Sequence, residues 1–297
     1  MHKLFNYLFS AILLTGLLFI TSCGEDEVPT PAVPEITLDA SSAEVYPRET
    51  VTVSGTVNAP GGINAIDVAV GADASVNLFT KTAGTETLSE TFSYDYTVPV
   101  DAAAGDVIIT ISVVDDSNQT TDVTFTLTVK ATVAISEYSA TLLGGQTNAT
   151  EPSFFNAIDG TTYLLGDFLN THSMHTDILY FFGSTNQATL AAPDDSDADI
   201  AFGTGTITAA PTLNATRFVV SDLTAAQFDE ILFDHEILAQ SFDAGGASKA
   251  NQLAVGNVLV FQLDAARGSK FGLVKVVAIE GTSGVDRSIT IDTKIQL

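Results

Sequence analysis

Two short segments hold residues whose types and spacing could do chemistry. His172-Ser173-Met174-His175-Thr176-Asp177 offers two imidazoles and a carboxylate close together, three donors of the kind zinc takes. The segment leads into an apolar run, and on a strand side chains at i and i+3 point to opposite faces. A metal site there would need a loop; the competing reading is loop or strand-edge histidines. Asp194-Asp195-Ser196-Asp197-Ala198-Asp199 places four carboxylates within six residues. Calcium takes about six to eight oxygens, so Asp194, Asp195, Asp197 and Asp199 are candidate metal ligands and calcium is the candidate cofactor. The run lacks the turn glycine and closing glutamate of an EF-hand, and it also reads as a solvated acidic loop.

Other chemistry finds little to work with. Asp115-Asp116 could bind calcium at a domain junction, or could be a polar turn satisfied by its own backbone. Beyond His2, the histidines are His172, His175 and His235, the last on a helical surface. No serine sits in a Gly-x-Ser-x-Gly elbow. Gly144-Gly145 and Gly245-Gly246 lack the lysine and further glycines of a phosphate cradle. Carboxylates are plentiful, yet nothing marks a pair as a glycosidase acid and base. Tyr180-Phe181-Phe182, with Tyr163 and Phe168, could line a ligand groove or simply fill a core.

Composition narrows the class. The formal net charge is −25, from 11 Lys+Arg against 36 Asp+Glu. A phosphate backbone is held by Lys and Arg, so nucleic acid is excluded as a partner. The single cysteine rules out a disulfide scaffold and a multi-cysteine zinc site. The absence of tryptophan removes the commonest sugar-stacking platform.

That cysteine is Cys23, and its setting is specific. Lys3 precedes an apolar run, Leu8–Ile20, too short to span a bilayer, which needs about 20 residues, but suited to a signal peptide. Ile20-Thr21-Ser22-Cys23 resembles a bacterial lipobox. The resemblance implies cleavage before Cys23, lipid on its thiol and new amine, and a membrane partner through that anchor. Gly24-Glu25-Asp26-Glu27 resembles the export tag of Bacteroidetes surface lipoproteins, which implies the outer membrane and exposure at the cell surface. Without that tag the same residues are an acidic tether. Val28–Pro34 holds three prolines and reads as a stiff spacer.

The elements that must position any site are mostly strands. In residues 35–130, apolar residues alternate with Thr and Ser at Val51–Val57, Thr91–Val98, Ile109–Val113 and Val123–Val129. Period two means one face buried and one solvated. Turn signals fall between them at Pro60-Gly61-Gly62, Gly84, Gly105 and Asp115–Asn118. About seven strands in this length fit an immunoglobulin-like sandwich. Gly105–Val129 resembles the last hairpin of bacterial Ig-like or PKD-like domains, without the Cys–Trp core of antibodies.

From Ala131 the alternation weakens and phenylalanine becomes common. Strands are expected at 161–165, 177–182, 217–220, 253–263, 270–279 and 288–296. One helix is expected after Thr224, where Thr224 and Gln227 match a capping box and Phe228, Ile231 and Leu232 share a face. Asp234 is expected to cap a second, carrying Ile237 and Leu238. The fold class is therefore mainly β: an Ig-like sandwich over 35–130, then a β-rich α+β domain over 131–297 with one or two short helices. Residues 1–22 are the signal and 23–34 the tether.

Segments of the second domain, among them Tyr138–Gln146, Thr176–Phe182, Asn214–Phe218 and Val255–Val258, resemble uncharacterised Bacteroidetes surface lipoproteins. The resemblance implies a location and an architecture but no activity. The expected function is a non-enzymatic, lipid-anchored surface protein whose Ig-like stalk presents a binding module for a glycan or protein. The alternatives are a surface hydrolase or glycan-processing accessory with unidentified carboxylates, and a structural envelope component.

Overall fold

The computed structural model describes residues 30–240, 242, 245–282 and 286–297. Cys23, the apolar run before it and Glu25-Asp26-Glu27 lie outside the described residues. The chain divides into two compact units. The first comprises the chain up to Ala43, Thr50–Thr97 and Asp106–Thr128; the second comprises Glu44–Glu49, Val98–Gly105 and Val129–Leu297. The fold class is mainly β, with 44% strand against 13% helix.

The first stretch of chain carries β1 (Glu35–Leu38), β2 (Ser42–Val45), β3 (Thr50–Asn58), β4 (Ile63–Val70), β5 (Val76–Asn77), β6 (Ser89–Thr97), β7 (Gly105–Asp115) and β8 (Thr120–Val129). They form a three-stranded sheet, β1-β3-β6, and a five-stranded sheet, β2-β8-β7-β4-β5. The alternation seen in the sequence decides the faces. Val51, Val53 and Val57 of β3 are buried, as are Ile109, Ile111 and Val113 of β7 and Phe125, Leu127 and Val129 of β8. Between them the Thr and Ser residues point outward, where branched polar side chains suit a pleated surface.

The turn after β7 is held by its own acid. Asp115 is fully buried and accepts from the Ser117 N–H, the Gln119 N–H and the Gln119 side-chain amide at 2.7–2.9 Å. Asp116 pairs with Lys81. Both carboxylates are thus engaged by the protein's own donors. The same turn also fastens the N-terminal segment. The Gln119 amide donates to the Pro31 carbonyl at 3.0 Å and the Thr121 hydroxyl to the Pro34 carbonyl at 2.6 Å. The spacer expected to run to Pro34 is therefore laid against the first unit from Pro31 onward.

The rest of the chain carries β9 (Ile135–Gly144), β10 (Phe154–Phe155), β11 (Thr162–Tyr163), α1 (Leu165–Asp167), β12 (Ile178–Gly183), β13 (Gln187–Ala191), α2 (Ser196–Phe202), β14 (Arg217–Val220), α3 (Ala225–Glu230), α4 (Asp234–Leu238), β15 (Lys249–Ala250), β16 (Val258–Gln262), β17 (Phe271–Glu280) and β18 (Ser288–Gln296). One sheet runs β11-β10-β12-β13-β15 and the other β14-β16-β17-β18-β9. A shared core gathers Ile178, Tyr180 and Leu190 from the first with Phe261, Val274 and Ile291 from the second. The opposite side of β12, Leu179 and Phe181, packs with Phe154, Phe168, Ala198 and Ile207. Gly272 is obligatory here, since a Cβ would lie 2.2 Å from Cζ of Phe261 on the neighbouring strand.

Several expectations are corrected locally. The acidic run is not a loop: Asp195 is the N-cap of α2. His172 and His175 lie not at a strand edge but in a π turn over Phe168–His172 and a 3-10 turn over Ser173–His175. The capping box at Thr224 is present, with Gln227 N–H on the Thr224 hydroxyl and the Gln227 amide oxygen on Thr224 N–H. Phe228 and Ile231 are buried, but Leu232 is exposed, because the helix ends at Glu230 and Ile231 is already extended. Asp234 is not a cap. It opens α4 itself, and the Glu236 carboxylate takes the N–H groups of Leu232 and Phe233 instead. Among the described residues, no helix is long and apolar enough to cross a membrane.

Candidate functional site

The acidic run and the aromatic segment of the sequence both reach a groove of about 460 Å³ in the second unit, whereas His172, His175 and Asp177 do not line it. It is lined by Gln146, by Phe181–Asn186 at the turn between β12 and β13, and by Asp197, Ile200 and Ala201 of α2. A second depression of about 310 Å³ shares Gln146 and continues along Thr147–Ala149, Leu164 and Phe202. Volumes of this order hold a small ligand.

Gln146 sets the geometry. Its amide nitrogen donates to the Phe182 carbonyl and its amide oxygen accepts the Phe182 N–H, both at 2.9 Å. The side chain thus imitates one residue of a neighbouring strand and closes β12 where β10 has run out. The loop that carries Gln146 is shaped by Asn148, whose side-chain oxygen accepts from Thr150 and Glu151 N–H groups, a side-chain turn typical of Asn. Phe182 is covered on one side by the Arg287 guanidinium, 3.9 Å from its ring centre. Phe181 and Tyr180 are buried in the two cores. Of the aromatic segment, then, Tyr180 is core, whereas Phe181 and Phe182 reach the groove wall. Burial pushes the Tyr180 phenol up to about 12.

Each of the four aspartates is engaged by the protein's own donors, Lys249 being shared by Asp195 and Asp197. Asp194 makes a two-pronged pair with Arg217 at 3.0 and 2.7 Å. Asp195 accepts from Asp197 and Ala198 N–H at 2.9 and 3.0 Å and from the Ser248 hydroxyl at 2.6 Å. Asp197 accepts from Lys249 at 2.7 Å and Asn186 at 3.0 Å. Asp199 turns the other way and accepts the N–H groups of Gly205, Ile207 and Thr208 at 2.7–3.0 Å. For Asp197 and Asp199 these bonds favour the charged form. The Lys249 contact holds Asp197 below the usual carboxylate range, with Asn186 assisting. The backbone donors of Gly205 and Thr208 do the same for Asp199. Burial opposes the charge on Lys249, but Asp197 and Asp195 outweigh it and raise its pKa. The run is a capping and pairing device, and it does not converge its oxygens on one point.

The histidine segment disperses likewise. His172 stacks on Tyr163 with ring centres 4.3 Å apart, while His175 lies 6.4 Å from His172. Asp177 is buried and committed to Arg267. Among the described residues, no three His, Cys, Asp or Glu side chains are grouped to hold a metal ion. Gln146 and Asn186, which shape the groove, escaped sequence reasoning. Neutral amides 40 positions apart leave no local pattern.

No family model matches the chain, and no curated protein matches it. Solved structures give distant likenesses. A DUF4466 family protein from Parabacteroides merdae is 14% identical, with a TM-score of 0.37, covering 89% of this chain and 99% of that one. A Niemann-Pick type C2 protein from the Japanese carpenter ant is 12% identical, with a TM-score of 0.24, over 34% of this chain and 95% of its own. Salmonella alpha-2-macroglobulin, as its Y1175G mutant, is 12% identical over 87% of this chain and 14% of its own, with a TM-score of 0.25. Scores this low carry no argument about function.

Proposed function

We propose that the chain is a lipid-anchored protein of the outer membrane, displayed at the cell surface, in which an Ig-like domain carries a binding module for a neutral polar ligand such as a glycan or an uncharged peptide. The observation that carries the anchor is the position of Cys23. The only cysteine of the chain follows Ile20-Thr21-Ser22 at the end of an apolar run. Two or more acyl chains on it would anchor stably.

The groove at Gln146 supports the binding half. Its wall offers amides, hydroxyls and backbone groups beside exposed Ile200, and its one ionisable lining residue, Asp197, is occupied by Lys249. Such a surface orients a neutral ligand by hydrogen bonds.

Cell fractionation of Cys23→Ala tests the anchor. The variant is expected in the soluble fraction or as an uncleaved precursor, and unchanged membrane association with normal processing sinks it. For the groove, the purified chain is titrated against a panel of neutral oligosaccharides and uncharged peptides. Binding lost in Ser184→Trp, which fills the groove from its turn, supports the site. Binding that survives this change places the ligand elsewhere.

A further inference from the structure

The four sheets end in eight edge strands among the described residues. An open edge presents a row of backbone N–H and C=O groups to any passing strand, and folded proteins usually blunt it. Here six of the eight edges, β1, β2, β5, β11, β14 and β15, have four residues or fewer. The seventh, β9, is longer but broken. Its register with β18 shifts at Ile291/Thr293, Ala140 sits at φ +54°, and the Ala140 N–H is taken by the Asp292 carboxylate at 2.8 Å.

The eighth is different. β6 pairs with β3 through nine consecutive residues, Ser89–Thr97, with no register shift, and among the described residues no strand pairs with its other side. It contains no proline, lysine or glycine. Its two faces differ in chemistry. Phe92, Tyr94 and Tyr96 lie on the face of buried Val51 and Val53, with the two tyrosines left half-exposed at the rim. Thr91, Ser93 and Asp95 lie on the solvent face, exposed.

The charge around this edge is predominantly negative. The described residues of the first unit hold eleven carboxylates and a single basic side chain, Lys81. Glu90 and Asp95 stand on β6 itself. Asp73 is near enough to Tyr96 to add to the effect of burial in raising its phenol pKa. A second copy of this chain would bring the same excess of negative charge to the same edge, and like charges opposed across strands destabilise the pair.

We infer that β6 is a docking edge for an extended basic peptide segment, which adds to β1-β3-β6 as a fourth strand. Backbone pairing supplies affinity, and alternate side chains supply selectivity. Residues facing the tyrosine rim would be apolar, and those facing Asp95 would be Lys or Arg. The surrounding negative field would speed encounter and make it salt-sensitive. The inference uses the first unit alone and stands whether or not the groove binds anything.

The test titrates the full chain with a nine-residue peptide alternating Val and Lys, reading Kd together with amide hydrogen exchange. Exchange is expected to slow within Ser89–Thr97, and binding to weaken as salt is raised. Glu90→Lys with Asp95→Lys should weaken binding by about tenfold or more, the scale of like charges facing each other at an interface, and should gain affinity for a Val–Glu peptide. Glu90→Gln with Asp95→Asn, which keeps shape, should lose affinity to a smaller degree. Four outcomes overturn the inference: no binding at millimolar peptide, binding that leaves β6 exchange unchanged, binding indifferent to salt and to both double variants, or protection of β6 by dimerisation without peptide.

Discussion

Arg267 and Asp177, 90 positions apart, meet as a two-pronged ion pair inside the second unit, Nε to Oδ1 at 2.8 Å and Nη2 to Oδ2 at 3.0 Å. The pair is fully networked. Arg267 also donates to the Asn156 side chain at 2.7 Å, and Asp177 accepts the Ala157 N–H at 3.0 Å. It joins the start of β12 to the turn after β16, and so ties one sheet of this unit to the other. Burial raises the Asp177 pKa despite the opposing pull of Arg267, so the charge survives only while its partners stay.

Removing one partner should therefore cost far more than removing both. Arg267→Ala leaves a buried carboxylate uncompensated and is expected to lower stability by about 3–5 kcal/mol. Asp177→Leu with Arg267→Met should cost clearly less than that single change. Urea unfolding followed by circular dichroism measures both. A double variant as unstable as the single one would show that the pair itself, and not its desolvation, supports the fold.

Calcium should leave the second unit unmoved. Asp194, Asp195, Asp197 and Asp199 are each satisfied by the protein's own donors, so a cation would have to displace Arg217 and Lys249. Melting curves in millimolar calcium and in EDTA are expected to coincide. Asp195→Ala, by contrast, should cost about 1–2 kcal/mol through loss of the N-cap. A calcium-dependent rise in Tm abolished by Asp195→Asn with Asp197→Asn would restore the metal reading.

Asp199 predicts an acid limb. Its pKa is depressed in the folded protein by backbone donors, so the stability it contributes is present above the unfolded value, about 3.9, and is lost as pH falls through the folded one. Tm should drop on acidification below about pH 4, and more gently in Asp199→Asn. That variant should already be less stable at neutral pH, because the donors of Gly205, Ile207 and Thr208 lose a charged acceptor. Parallel pH profiles for variant and wild type would remove Asp199 from the account.

Glu25, Asp26 and Glu27 carry the proposed outward address. Replacing all three with Ala should yield a lipidated protein that is shielded from protease in intact cells. Equal surface proteolysis of variant and wild type would reduce them to a tether.

What could be seen in the sequence was what depends on neighbours along the chain. The period-two rows of β3, β7 and β8 and the Thr224–Gln227 capping box need only a few consecutive residues, and they were legible. Asp195 was locally legible too, as an acid two and three places before the N–H groups it caps. The repeated carboxylates drew attention to ligand chemistry instead. Asp177 with Arg267, and Gln146 with Phe182, join distant segments through single side chains, and no periodicity records that.

The docking of Pro31 and Pro34 onto Gln119 and Thr121 sets a leash. Between Cys23 and Pro31 there are seven residues, 24–30, which at full stretch reach about 25 Å. An anchored chain could not stand off the bilayer at arm's length. Its first unit would ride within one small-domain diameter of the lipid headgroups, and the acidic turn at Asp115 and Asp116, where the leash is fastened, would be the part drawn down toward them.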